Sequence, residues 1–194
     1  MKKLLFLLLL WSSCLQAQSL RVAVAANAQF VMESLGAAFQ KQSGIKVESI
    51  VNSSGKLTTQ IQQGAPYDLF LSADMEYPRT LYNQKLTTAA PVIYAYGSLV
   101  LWTLGTLPLS ADLKVLRNPA VRHIAIANPE TAPYGEAALS LLKYRKLLAP
   151  VQSRIVYGES ISQVNQYVLS GAAEVGITAK SVVLDPSLKQ RGHW

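Results

Sequence analysis

The sequence predicts an α/β fold of two lobes, each a parallel-rich sheet flanked by helices. Three observations predict it. Residues 20–72 alternate short apolar runs with helical periodicity in the order β-α-β-α-β, the pattern of a parallel sheet with right-handed crossovers. Residues 123–178 follow the same strand–corner–helix grammar without repeating the sequence. Between them, residues 89–101 change character, with Pro91, a Tyr-rich run and Gly97-Ser98, which places an interlobe crossing near residues 92–98.

Each element has a local cause. Residues 20–25 (LRVAVA) read as a buried strand. Asn27 stands where an N-cap is expected, and Val31, Leu35, Ala38 and Phe39 then share one face of a helix that Gly44 ends. A second strand over 45–51 runs into the corner Asn52-Ser53-Ser54-Gly55, followed by a helix with Leu57 and Ile61 on one face. Gly64-Ala65-Pro66 stops it, and residues 68–72 form a third strand. Asp74 is placed to cap an amphipathic helix over 75–84. Strands are expected in the Tyr-rich run and over 99–104, then a helix over 112–117 and a strand over 123–127. A helix over 136–148, a strand over 154–157, a helix over 161–169 and a strand over 174–178 complete the pattern.

The chain has 194 residues, half of them apolar, enough for two small lobes with real cores. Its net charge of +7 comes from scattered Lys and Arg, with no basic run and no basic face interleaved with aromatics. That pattern fits a solvated surface and implies no nucleic-acid partner. Residues 1–17 read as a secretory signal: Lys2-Lys3 is the charged start, residues 4–11 the apolar stretch, and Ala17 the cleavage position. Export across the membrane follows. Cys14, the one cysteine, lies in a weak lipobox-like run after Trp11, and soluble export is preferred over lipid anchoring.

Four corners sit where strands hand over to helices: Ala26-Asn27, Ser53-Ser54-Gly55, Pro133-Tyr134-Gly135 and Glu159-Ser160-Ile161. Any one alone is most simply a helix cap. Together they lie at strand C-ends in both lobes, where helix N-termini present unpaired N–H groups and partial positive charge. The chemistry that fits is capture of an anion by neutral donors. Enzyme motifs fare worse. Ser53-Ser54-Gly55-Lys56 satisfies S-x-x-K, but no K-T-G or S-D-N accompanies it, so a secreted serine hydrolase using Ser53 and Lys56 is only an alternative. No His, Cys, Asp or Glu cluster has metal-ligand spacing.

The runs VAVAAN, NSSGKLTTQIQQGAPYDLFLSAD and NPETAPYGEAA resemble the periplasmic molybdate-binding proteins of ABC importers. The resemblance covers most of the chain after the signal. It implies a two-lobed Venus-flytrap fold that closes on molybdate or tungstate and delivers it to a membrane permease, acting as a monomer, without catalysis and without a cofactor. By position it implies Asn27, Ser54, Tyr134 and Ile161 as ligands of the oxyanion, with a backbone amide from Ala26. These residues would hold the metal only through its oxygens, with no direct metal ligation. Where many relatives carry a ligand Tyr after the last strand this chain has Ala179, and Tyr134 is expected to supply that hydroxyl. A binder of sulfate or phosphate is the alternative within the class.

The implied domain plan is a signal over 1–17, a first lobe over 18–94, a second lobe over 95–180, and residues 181–194 beginning a return toward the first lobe. Relatives finish that return with a further strand and helix, so the chain is expected to be a C-terminally truncated form.

Overall fold

The computed structural model describes residues 19–194; the expected signal over 1–17 and Cys14 lie outside the described residues. Two sheets organise the chain. In the first, β1 (Ser19–Ala25) pairs in parallel with β2 (Lys46–Asn52) on one side and with β3 (Leu69–Leu71) on the other. In the second, β5 (Ile124–Ala127) pairs in parallel with β6 (Ile155–Gly158) and β7 (Val175–Ala179), while β4 (Leu99–Trp102) is antiparallel to β7. Both sheets carry their helices as crossovers, as the alternation of periods required.

The helices begin at the strand ends. Helix α1 (Gln29–Ser43) follows a 3₁₀ turn at Ala26–Ala28, and α2 (Ser54–Gln62) follows β2 directly. Helix α3 is Glu76–Asn83, and α4 is Pro133–Tyr144 with proline in its first turn, where a missing N–H costs nothing. A short α5 (Leu148–Val151) leads to β6; α6 (Ile161–Leu169) joins β6 to β7, and α7 (Lys180–Val183) follows β7.

The second lobe holds most of the core. Leu116, Val121, Ile124, Ile126, Leu142 and Val151 are fully buried between its sheet and α4. Residues 184–194 lie on this lobe too: Leu188 joins the cluster around Trp102, the Trp102 indole donates to the Arg191 carbonyl at 2.9 Å, and His193 pairs with Thr103. The first lobe is thinner, with Val22, Val24 and Met32 at its centre.

Four local expectations are corrected. Asn27 is not an N-cap: it is the middle residue of the 3₁₀ turn, and Ala28 precedes α1. The stripe Val31, Leu35 and Phe39 stays 49, 55 and 41% exposed, because α1 meets the sheet through Met32 and Gly36 instead. The Tyr-rich run forms no strand; it crosses between the sheets without a ladder partner, with Tyr96 exposed and Tyr94 tied by its hydroxyl to the Ser72 carbonyl at 3.0 Å. The helix expected over 112–117 is a single 3₁₀ turn, Lys114–Arg117.

Candidate oxyanion site

The N-terminus of α2 is built from a strand end and small residues. Ser53 holds the extended backbone of an N-cap, and Ser54 begins the helix. Both are buried, at 3 and 1% exposure. The Ser54 Oγ accepts the Ala73 N–H at 3.0 Å, which leaves its own O–H free to donate. Its carbonyl accepts the Thr58 hydroxyl at 2.8 Å, so the first turn is held from inside the helix.

The first corner lies beside it in the same lobe. Ala26 is buried at the end of β1, and the Asn27 side-chain Oδ1 is buried without a partner. Turning that amide end for end presents its NH₂ group in the same space, so the side chain can supply a donor.

From the second lobe, Tyr134 enters at the start of α4 and Ile161 at the start of α6, both buried. Burial pushes the Tyr134 hydroxyl above its ordinary value of 10.0; the Asn27 side chain beside it works the other way, and Tyr94 adds to the rise. The phenol is therefore a hydrogen-bond donor throughout the neutral range. Gly97 lies so close to the Tyr134 hydroxyl that a Cβ there would meet it.

The fold brings all five expected residues to one seam between the lobes. Ala26, Tyr134 and Ile161 share a single buried cluster, with Ala73 packed against it, and Ala73 is the group that holds Ser54. The lobes touch along this seam. The Gly55 N–H donates to the Thr131 carbonyl at 2.8 Å, the Ser181 hydroxyl donates to the Asn27 carbonyl at 2.6 Å, and Ser162 pairs with Gln29. At the rim the Lys56 ammonium lies 2.7 Å from the Glu159 carboxylate. Lys56 is the one cation in the corners, and its charge is answered by Glu159 rather than directed at the seam.

That pairing also bears on the hydrolase alternative. A serine nucleophile needs a base in hydrogen-bond reach, whereas Ser53 Oγ has no partner and Lys56 is engaged by Glu159. What the seam offers is neutral: buried hydroxyls, an amide and helix N-termini. Such a set stabilises an anion through oriented dipoles.

Sequence reasoning missed Thr131, Glu159 and Gln29 as partners across the seam. Glu159 was visible as a corner residue, but nothing local pairs it with Lys56. Ala179, where a ligand Tyr was expected to be missing, is fully buried at the end of β7 and paired with Leu99.

Two lobes of mixed α/β structure closing on a polar seam define a solute-binding protein. The family of bacterial extracellular solute-binding proteins matches residues 20–194, and the chain belongs to it. It is similar to the molybdate-binding protein ModA of Azotobacter vinelandii, 39% identical over 181 residues, covering 92% of this chain and 72% of that one. The ModA of Rhodobacter capsulatus is 36% identical over 163 residues, covering 84% of this chain and 64% of the relative. The solved periplasmic molybdate-binding protein of A. vinelandii superposes with a TM-score of 0.77 at 41% identity, over 82% of this chain and 71% of that one.

Proposed function

We propose that this protein binds molybdate in the periplasm, takes tungstate nearly as well, and hands the anion to the permease of an ABC importer, acting as a monomer and without catalysis. The observation that carries the reading is the meeting of Ala26, Asn27, Ser54, Tyr134 and Ile161 at one buried seam between the lobes. The relatives named for molybdate binding support the choice of anion.

The mechanism follows from the donors. The dianion sheds water as it enters between the open lobes. Hydroxyls of Ser54 and Tyr134, the Asn27 amide and the backbone N–H groups of Ala26 and Ile161 replace that water. Hinge closure then buries the complex. Neutral donors suit any tetrahedral oxyanion, so discrimination against the smaller sulfate rests on cavity size.

The test is thermal unfolding of the exported chain with molybdate, tungstate, sulfate and phosphate in turn. Ligand at about 100 times its Kd adds about 2.7 kcal/mol, a rise of several degrees for a chain of this size. The expected result is a rise with molybdate and tungstate alone. A rise with sulfate or phosphate instead would move the reading to that anion, and a cooperative transition that no anion shifts would overturn it.

A further inference from the structure

Ser53 holds the N-cap of α2 with φ −67° and ψ 151°, yet its side chain makes no cap hydrogen bond. A serine there ordinarily accepts the N–H two or three residues on, here Gly55 or Lys56. In this structure the Gly55 N–H has been taken by the Thr131 carbonyl of the other lobe, at 2.8 Å. The Ser53 hydroxyl is left buried without a partner, in a residue only 3% exposed. A buried hydroxyl in that state is costly unless something beyond the chain satisfies it. Its position, at the positive end of α2 and next to Ser54, suits an oxyanion.

We propose that Ser53 is a third hydroxyl ligand of the bound anion, beside Ser54 and Tyr134, released for that role by closure of the lobes. The inference rests on the reading of the seam as an oxyanion site. In the open form Thr131 withdraws with its lobe, and Ser53 Oγ caps the exposed Gly55 N–H. On closure the Thr131 carbonyl takes over that N–H, and the Ser53 O–H turns to the anion. The cap of α2 is thus exchanged for a ligand contact, and the Gly55 N–H keeps a partner in both states.

Calorimetric titration with molybdate tests this on the wild-type chain, Ser53→Ala and Ser53→Thr. Loss of a donor to a charged group should weaken Ser53→Ala by about ten- to a hundredfold, while Ser53→Thr, which keeps the hydroxyl, stays close to wild type. The anion-free Ser53→Ala protein should also melt lower, because its open form has lost a cap. Should it not fold, Ser53→Gly replaces it, since the N-cap position tolerates glycine far better than alanine. Wild-type affinity in Ser53→Ala, or equal weakening in Ser53→Ala and Ser53→Thr, would overturn the assignment. If the wild-type chain itself binds no molybdate, the reading of the whole seam fails, and the two failures are told apart by that first titration.

Discussion

Lys56 Nζ and Glu159 Oε2 stand 2.7 Å apart across the seam, one at the start of α2 in the first lobe and the other at the corner before α6 in the second. Each is a near neighbour in sequence of an expected anion ligand, Ser54 and Ile161. The pair therefore reports closure directly: it can form only when both corners face each other. It also answers the charge of Lys56, the one cation in the four corners.

Because the side chains are 38 and 67% exposed, the pair is screened and stabilises closure by less than about 1 kcal/mol. Lys56→Ala and Glu159→Ala should each lower molybdate affinity only a fewfold, and the double variant no further. The difference from wild type should vanish as salt rises toward 1 M, where the screening length is about 3 Å. A double-mutant cycle by calorimetry at low and high salt reads both; a coupling that salt leaves unchanged would show that the pair does not act through charge.

Ser54→Ala and Tyr134→Phe should each weaken molybdate binding by about 1–3 kcal/mol, the loss of one donor to a charged group. Ser54→Ala should also lower the melting temperature without ligand, because the Ala73 N–H loses its acceptor. Since the buried Tyr134 hydroxyl ionises only above its ordinary 10.0, affinity should be independent of pH through neutrality. It should fall in strong alkali, when a phenolate would face the dianion. Unchanged affinity in both variants would remove these side chains from the site.

Gly55→Ala tests closure itself. A Cβ at this position would come within 2.8 Å of both the Thr131 carbonyl oxygen and the Tyr77 hydroxyl, which belong to opposite lobes. Alanine is a better helix former than glycine, so the first lobe should fold at least as well alone. Full closure should be obstructed, with binding weakened tenfold or more. Small-angle scattering of Gly55→Ala with saturating molybdate should show a larger radius than the wild-type complex; an identical radius and affinity would mean that the seam gives way easily.

Glu174 should contribute to acid stability. Burial alone would raise its pKa, but the backbone N–H groups of His123 and Arg122, at 2.7 and 3.0 Å, and the Arg122 charge outweigh it and hold the carboxyl below its ordinary 4.5. The folded state therefore binds this proton less tightly than the unfolded chain. The stabilisation is fully present above about pH 4.5 and is lost as pH falls through the folded value. Glu174→Gln should lower the melting temperature at pH 7 and flatten the dependence on pH below 5. An unchanged slope in thermal scans from pH 3 to 7 would assign acid sensitivity elsewhere.

Much of the second lobe was legible because its signals are local. HIAIA reads as a strand and forms β5, one residue shorter; the 161–169 helix is bounded by Ser160 and Gly171 and appears at those bounds. The α2 corner was legible for the same reason: small polar residues between a strand and an apolar-faced helix. The failures are residues whose fate depends on distant partners. The stripe Val31, Leu35 and Phe39 is a sound helical face, yet which face meets the sheet was settled by Met32 and Gly36 against β2. The run Val92 to Tyr96 has strand composition, but a strand needs a ladder partner, and none of the described residues provides one.

Local chain chemistry is enough to set the order of strands and helices, the small polar corners between them, and the neutral character of the donors those corners hold. These follow from dihedral preference, capping and apolar periodicity, which act over a few residues. Packing of the lobes is what makes four corners meet, sets Glu159 against Lys56, and lets Thr131 take the Gly55 N–H and free Ser53. Such pairings join residues of different lobes, and their energy exists only once the lobes have packed, so no local preference encodes them.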